Sequence, residues 1–359
     1  MPHLLIAGHF GCGNLGDDAI LLGFIHGIDR LGFDVTVMSG SPEETFRNYG
    51  IRSIPRRDSR AVSEALARTD ALVFAGGSVF QDVTSVGSAL VYANLVGKAK
   101  KAGKKVLMLG QGVGPLTKFL SKRAAAGAFN SADCIVVRDP ESARALVALG
   151  VRQTARVGAD LAFMMPPARE EGEQQFGVAG MKTVGIAPRP FGKNNKEVVV
   201  LFGDLCRMLF QTQHVPVLIE MDRNEDGPLI SEIEKSQGGK VPSMKKLATP
   251  IQVQSRIARM DAVIGMRLHA SILATGVGVP AMTISYDPKV AAFANILGLG
   301  SAIPIEGLTA QRLFDNYLTF EKAKDRNVKI LETKRQELQQ MAQVNIEVLT
   351  DVLRTTSAR

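Results

Sequence analysis

The sequence contains little of what disulfide frameworks, membrane spans and nucleic-acid surfaces require. Its 359 residues include no Trp and only three cysteines, Cys12, Cys134 and Cys206. They are scattered without paired spacing, which predicts a reduced compartment and neither a disulfide framework nor a metal site. No apolar run reaches the roughly 18 residues that a membrane-spanning helix needs. The N-terminus lacks a basic segment followed by a long apolar one, so we expect no signal peptide.

The composition is basic, with a formal net charge of +8, which suits an anionic ligand, a membrane surface or nucleic acid. Aromatic residues make up only 6% of the chain, and no basic run is interleaved with them, so we expect no nucleic-acid partner. Four lysines between positions 100 and 105 precede a predicted strand. A solvated helix end explains them, and attraction to an anionic lipid headgroup is the alternative.

Short apolar runs alternate with longer amphipathic ones, which is typical of a doubly wound parallel sheet. The first half contains five predicted strands: Leu4–Ala7, Val35–Met38, Ala71–Phe74, Val106–Leu109 and Cys134–Val137. After a polar stretch with Gly and Pro, the pattern restarts with four more: Thr183–Ala187, Val215–Ile219, Ala262–Gly265 and Ala281–Ser285. We therefore predict an α/β, GT-B-like fold of two doubly wound parallel-sheet domains facing a cleft. The expected boundaries are residues 1–165, a linker at 166–182, residues 183–320, and C-terminal helices at 321–359.

The stretch "GHFGCGNLGDD" at residues 8–18 contains the pattern G-x-G-x-x-G between a predicted strand and a predicted helix. That pattern is typical of a dinucleotide-binding turn, which also needs an acidic residue at the end of the second strand. The second strand ends without one, and Asp17 and Asp18 would repel a pyrophosphate. We expect Asn14 and Asp17 to bind sugar hydroxyls. The alternative is that Asp17 and Asp18 only cap the helix and complement its dipole.

Basic side chains recur where predicted strands end. Arg138 ends a strand of the first half, and Arg189 follows a strand of the second half. Arg267 and His269 follow the strand Ala262–Gly265 at the start of a predicted helix, and Lys289 lies in the first turn of a later helix. A lysine there opposes the helix dipole unless an anion binds nearby. Salt bridges within the protein would explain each residue singly. Together they indicate a compact substrate with a carboxylate and a phosphate, and a histidine that transfers a proton.

Motifs between residue 8 and about residue 297 carry a resemblance to the polysaccharide pyruvyltransferases of the CsaB type: "GHFGCGNLGDDAIL", "FAGGSVFQD", "GQGVGPL", "VVRDPES", "VGADLAF" and "GMRLHA…GVPAMTISYDPKV". The resemblance implies a GT-B-like fold and phosphoenolpyruvate as co-substrate, without a cofactor. It also implies transfer of the pyruvyl group, as a ketal, to a sugar of a cell-wall polymer, with a role in S-layer anchoring. The implied acceptor is a lipid-linked saccharide in the cytoplasm, where the basic surface contacts the membrane periphery.

The resemblance and the strand-end pattern together give the expected site. Arg267 and His269 are the expected catalytic residues, and His269 transfers the proton. Four cations are expected to bind the donor: Arg138, Arg189, Arg267 and Lys289. Four polar residues in the first half of the sequence are expected to bind the acceptor: Asn14, Asp17, Gln81 and Asp82. We find no metal-ligand cluster, and the expected reaction needs no metal.

Two other functions fit the same sequence. A GT-B glycosyltransferase would bind a nucleotide sugar in the second domain and need an acidic residue for its ribose, for which Asp222 and Asp287 are available. A non-catalytic saccharide-binding or assembly protein of the cell envelope would show no turnover. Binding of a nucleotide would favour the glycosyltransferase. The absence of any turnover would favour the non-catalytic protein.

Overall fold

The computed structural model describes residues 1–82, 86–167, 178, 180–192 and 195–357, which form two compact units. The first unit comprises Met1–Cys12, Asp17–Pro166 and Leu338–Arg359, and the second comprises Gly13–Gly16 and Pro167–Glu337. The short segment 13–16, inside the glycine-rich stretch, therefore groups with the second unit. Most of the expected linker at 166–182 lies outside the described residues.

The first unit is built on a seven-stranded parallel sheet. Its strands, in chain order, are β1 His3–Phe10, β2 Asp34–Ser39, β3 Ser53–Pro55, β4 Ala71–Gly77, β5 Lys105–Gln111, β6 Cys134–Val137 and β7 Arg156–Val157. They lie in the order β3-β2-β1-β4-β5-β6-β7, and each neighbouring pair is parallel. Helices connect successive strands: α1 Leu15–Ile28, α2 Pro42–Tyr49, α3 Ser59–Arg68, α4 Val86–Lys101, α5 Phe119–Ser131 and α6 Pro140–Ala148.

The second unit repeats this architecture with six parallel strands. They are β8 Lys182–Ala187, β9 His214–Ile219, β10 Ser243–Met244, β11 Ala262–Gly265, β12 Ala281–Ser285 and β13 Ile303–Pro304, in the sheet order β10-β9-β8-β11-β12-β13. Its helices are α7 Lys196–Gln211, α8 Asp226–Ser236, α9 Pro250–Ile257, α10 Leu268–Gly276, α11 Pro288–Leu297 and α12 Ala310–Lys322. The final helix, α13 Lys324–Ser357, contributes residues to both units.

The central strands read as continuous apolar runs because helices cover both faces of a parallel sheet. All seven residues of β4 and all six of β9 are buried. The core of the first unit includes neighbouring aromatic rings, such as Phe80 and Phe129 with centroids 5.0 Å apart. Within the described residues, every helix is too short or too polar to cross a bilayer.

The order of the strands reverses once in each sheet, next to the strand that opens the unit. The reversal lies between β1 and β4 in the first sheet and between β8 and β11 in the second. Ligands of doubly wound proteins bind beyond the carboxyl ends of the strands at such a reversal. The prediction of two doubly wound parallel sheets is confirmed, and it directs attention to these two places.

Candidate active site

Arg189, Arg267 and His269 lie at the strand-order reversal of the second sheet. β8 and β11 are neighbours there, with Ala187 opposite Gly265. Arg189 and Arg267 each follow two residues later, and the Arg267 N–H donates to the Ala187 carbonyl at 3.4 Å. Arg267 is the N-cap residue of α10, and His269 lies in the first turn of that helix. The register of two neighbouring strands thus brings three expected site residues to one sheet edge.

Arg267 is buried and forms ion pairs with two carboxylates. Its Nε donates to both oxygens of Asp226 at 3.0 and 3.1 Å, and its Nη2 donates to Glu225 Oε2 at 2.7 Å. Asp226 is fully buried and also accepts the backbone N–H groups of Met221 and Asp222. Burial opposes the charge of Arg267, but the Asp226 carboxylate outweighs it, so the pKa of Arg267 is raised. Arg267 is therefore held in place as a cation.

Tyr286 lies beside the two other expected donor cations of this unit, Arg189 and Lys289, and Glu225 lies beside Arg189. The Arg189 guanidinium lies 4.4 Å from the Tyr286 ring centre, and its Nη2 is 3.8 Å from Glu225 Oε2. The Lys289 ammonium is 5.9 Å from the same ring centre and 3.5 Å from Asp287 Oδ2. Asp287 caps α11 by accepting the Lys289 N–H at 3.0 Å. One aromatic ring thus lies beside two cations, Arg189 from the loop after β8 and Lys289 from the first turn of α11.

The His269 imidazole packs against Gly16 of the glycine-rich stretch, within the second unit. A Cβ atom on Gly16 would lie 2.3 Å from His269 Nδ1, far inside the contact distance. Asn14 Oδ1 accepts the Gly16 N–H at 2.9 Å, and Asn14 Nδ2 donates to Asp222 Oδ2 at 3.2 Å. The Asn14 amide therefore accepts from Gly16 and donates to Asp222, and all three residues belong to the second unit. Sugar binding by Asn14 stays a prediction.

The other expected acceptor residues lie in the first unit. Asp17 is partly exposed in the first turn of α1, and Gln81 is partly exposed after β4. Asp82 accepts the N–H groups of Thr117 at 2.9 Å and Lys118 at 2.6 Å, where α5 begins. Burial opposes ionisation of Asp82, but these hydrogen bonds outweigh it and lower its pKa. Asp82 therefore holds the start of α5, and its contact with an acceptor stays a prediction.

Arg138 has its partners within the first unit. Its guanidinium is buried, 3.1 Å from Asp160 and 3.4 Å from Asp139, and its Nη2 donates to Ser78 Oγ at 3.2 Å. Burial disfavours its charge, but the two carboxylates, Asp160 first, outweigh burial and raise the pKa of Arg138. These contacts fix the loops that follow β4 and β6, and donor binding by Arg138 stays a prediction.

Sequence analysis missed three side chains of the second unit: Glu225, Asp226 and Tyr286. The acidic pair follows β9, and the tyrosine directly follows β12, so all three stand after strand ends as the cations do. Acidic and aromatic residues that follow strand ends could therefore have indicated these three side chains from the sequence. In the described ranges, no group of three His, Cys, Asp or Glu side chains is arranged to hold a metal ion.

Solved structures with the same architecture include a protein solved with UDP and a glycosyltransferase. MnaA of S. aureus, solved with UDP, superposes with a TM-score of 0.69 at 11% identity, over 96% of this chain and 95% of MnaA. A glycosyltransferase from Rickettsia africae superposes with a TM-score of 0.63 at 10% identity, over 98% of each chain. At such identities the likeness shows the fold alone. The fold is GT-B-like, with two parallel-sheet α/β domains, as the sequence predicted.

The family follows from a closer comparison. The family model for "Polysaccharide pyruvyl transferase" matches residues 14–288, which include the segment 13–16 from Asn14 onward, the strand reversal between β8 and β11, and Arg189, Arg267 and His269. The chain therefore belongs to the polysaccharide pyruvyl transferase family. The amylovoran biosynthesis protein AmsJ of Erwinia amylovora is 25% identical over 361 residues, which cover 82% of this chain and 86% of AmsJ.

Proposed function

We propose that the protein transfers the pyruvyl group of phosphoenolpyruvate to a sugar of a cell-wall polysaccharide precursor, as a ketal, and releases phosphate. The observation that carries the proposal is the set of side chains around the second strand reversal: Arg189, Arg267, Lys289 and His269. Membership of the family supports pyruvyl transfer. The motifs that resemble the CsaB type support the finer assignment, a cell-wall acceptor and a role in S-layer anchoring.

The donor carries a carboxylate and a phosphate, and each needs cationic N–H donors. Arg189 and Lys289 are the more accessible cations, with side chains 23% and 29% exposed, against 10% for Arg267. We assign direct anion contact first to Arg189 and Lys289. Arg267, held by its carboxylates, adds a fixed positive charge beside them. The N-termini of α10 and α11 begin at the same edge, and their dipoles favour an anion there.

In the proposed reaction His269 gives a proton to the methylene carbon of phosphoenolpyruvate, which makes C2 electrophilic. One sugar hydroxyl adds to C2, and its proton replaces the one that His269 gave. Phosphate then leaves, and a second hydroxyl of the same sugar closes the ketal, releasing its proton to solvent or to the phosphate. Asn14, Asp17, Gln81 and Asp82 are the residues we propose for the acceptor. No cofactor is required.

The test combines donor binding with turnover. The protein is incubated with phosphoenolpyruvate and a panel of lipid-linked saccharide mimics, while phosphate release and the mass of the sugar are followed. We expect phosphate release, a pyruvyl ketal on the sugar, and a melting temperature raised by phosphoenolpyruvate but not by NAD or nucleotide sugars. A shift with a nucleotide sugar alone would favour a glycosyltransferase. Donor and saccharide binding without turnover would favour a non-catalytic protein.

The role of His269 is tested by His269→Gln, because an amide has similar size and hydrogen bonding but does not titrate near neutral pH. General acid–base catalysis contributes on the order of 100- to 10,000-fold, so turnover should fall by that factor while phosphoenolpyruvate binding persists. His26, exposed on α1 of the first unit, offers the matched control His26→Gln. Near-normal turnover in His269→Gln would remove His269 from the mechanism.

The first unit offers a surface for the expected membrane contact. Phe119 and Leu120, in the first turn of α5, are 72% and 60% exposed, and Lys118 and Lys122 flank them. An apolar pair flanked by cations suits the interface of an anionic bilayer. The lysine cluster at 100–105 is instead engaged within the protein, since Lys100 and Lys105 pair with the same aspartate. We propose that the α5 surface, residues 118–122, makes the peripheral contact.

Vesicle co-sedimentation tests this surface. The protein should bind vesicles of phosphatidylcholine with phosphatidylglycerol and not phosphatidylcholine alone, and Phe119→Ser should weaken that binding. Val147 on α6 is 76% exposed without flanking lysines, so Val147→Ser is the matched control and should bind normally. Equal binding by the two variants would exclude the α5 surface.

A further inference from the structure

A thiol and a guanidinium meet at the carboxyl edge of the first sheet, outside the donor site. β1, β2 and β3 end side by side there, with Phe10 opposite Ser39 and Ser39 opposite Pro55. Cys12 follows Phe10 by two residues, and Arg56 follows Pro55 directly. Three parallel strand ends therefore bring Cys12 and Arg56 together, although they are 44 residues apart in the chain.

Two further side chains complete this cluster, which we call the Cys12 cluster: Cys12, His9, Arg56 and Tyr92. Arg56 Nη1 donates to Cys12 Sγ at 3.0 Å and lies 2.8 Å from His9 Nδ1. Arg56 Nη2 donates to the Tyr92 hydroxyl at 3.0 Å, and that buried hydroxyl donates to the Gly8 carbonyl at 2.9 Å. The tyrosine thus fixes the guanidinium with an N–H aimed at the sulfur.

The surroundings of Cys12 favour its thiolate. Burial raises the pKa of the Cys12 thiol, but His9 and Arg56 outweigh it, so the pKa is lowered. The hydrogen bond with Cys12 is the largest cause that raises the pKa of His9, and the negative charge of Asp17 raises it further against the effect of burial. Among the described residues no such cluster surrounds Cys134 or Cys206, and burial raises the pKa of each to about 12.

Cys12 is partly exposed, as is Cys134, whereas Cys206 is buried. On its other side the sulfur fills the space left by Gly40, where a Cβ atom would lie 2.5 Å from Sγ. The thiol is therefore packed against backbone on one side and paired with a cation on another, in a residue that is partly exposed.

We propose that Cys12 is a modification site at which hydrogen peroxide oxidises the thiolate to a sulfenic acid. The sulfur attacks one peroxide oxygen, so that an S–O bond forms and the O–O bond breaks. Sulfur is oxidised and the peroxide reduced, and the leaving hydroxide takes a proton from solvent to become water. The proposal does not depend on pyruvyl transfer, because its readout is the chemical state of the thiol.

The experiment follows each cysteine of the folded protein by peptide mass spectrometry. Iodoacetamide should alkylate Cys12 already at about pH 6 to 7, below the range of an ordinary thiol, while Cys134 and Cys206 stay unlabelled. Hydrogen peroxide followed by dimedone, which captures sulfenic acids, should add dimedone at Cys12 alone. Alkylation of Cys12 only above about pH 8.5, or no dimedone adduct on it, would overturn the proposal.

A matched pair of variants tests the role of the guanidinium. Arg56→Gln should lower the alkylation rate of Cys12 near pH 6.5 by about tenfold for each unit that the thiol pKa rises. Arg57 is exposed and adjacent, so Arg57→Gln changes the net charge equally and should leave the rate unchanged. Melting curves of both variants would serve as the control that each is folded. Equal rates in the two variants would mean that Arg56 does not activate the thiol.

Discussion

Arg267→Ala should destabilise the protein strongly, because Arg267 neutralises a fully buried carboxylate. Without it, Asp226 keeps only backbone N–H donors around a charge that has no access to water. Removing one partner of a buried ion pair costs about 3–5 kcal/mol. Arg189→Ala is the contrasting variant, since its 3.8 Å pair with the half-exposed Glu225 is worth about 1 kcal/mol or less.

The assay is urea denaturation of wild type and variants at about pH 5 and about pH 8. Burial already raises the pKa of Asp226 in the wild type, and loss of Arg267, whose charge lowers that pKa, would raise it further. The folded state of the variant would therefore bind the proton still more tightly than the unfolded state does. Stability of Arg267→Ala should therefore fall as the pH rises through that window, and its deficit against wild type should be larger at the higher pH. A double variant, Arg267→Met with Asp226→Leu, should recover much of the loss. Similar losses in Arg267→Ala and Arg189→Ala, without pH dependence, would refute the reasoning.

Three other changes test separate contacts. Gly16→Ala should lower turnover, because its Cβ would lie 2.3 Å from His269 Nδ1 and displace the ring. Gly127→Ala, on an open helix face, is the control and should leave turnover unchanged. Equal steady-state rates in the two variants would contradict the role given to Gly16. Burial raises the pKa of Asp18 from 3.8 to about 6. The charged carboxylate therefore lowers the stability of the folded protein above about pH 6, and it has no such effect below about pH 4, where the group is protonated in both states. Asp18→Asn should raise the free energy of unfolding at neutral pH by up to about 3 kcal/mol. The decrease in stability that the wild type shows as the pH rises from about 4 to 6 should be smaller in the variant, which denaturation at several pH values would measure. Tyr286→Leu should weaken phosphoenolpyruvate binding by about 1 kcal/mol through lost cation–π contacts, and unchanged affinity in calorimetry would count against the assigned donor cations.

The central strands could be predicted because strands covered on both faces are continuous apolar runs. All nine strands expected from the sequence are present, and β11 and β12 have the expected bounds. The four strands that were missed, β3, β7, β10 and β13, are two or three residues long and form the edges of the two sheets. An edge strand of that length has one neighbour and no apolar run of its own, so only the folded sheet defines it.

The positions of the second-unit cations could be predicted because parallel strands end at the same edge of a sheet. Their partners could not, because pairing depends on long-range contacts. Asp226 precedes Arg267 by 41 residues, and Asp160 follows Arg138 by 22. A strand-end arginine looks the same in the sequence whether it faces a ligand or a carboxylate of its own chain. This is why the structure shifts the proposed anion contacts toward Arg189 and Lys289.

The glycine-rich stretch shows how one sequence pattern can meet two physical requirements. In a dinucleotide fold, the turn offers backbone N–H groups to a pyrophosphate, and the third glycine allows close packing. Here the Gly11 N–H already donates to Asp18 Oδ1 at 2.9 Å, so the turn contains its own anion. The third glycine, Gly16, makes room for the His269 ring instead. A pyrophosphate would have to displace the Asp18 carboxylate and bear the negative charge of Asp17 beside it. We therefore expect the proposed anionic donor to bind the cations of the second sheet rather than the turn, although the turn carries the pattern that is typical of phosphate binding.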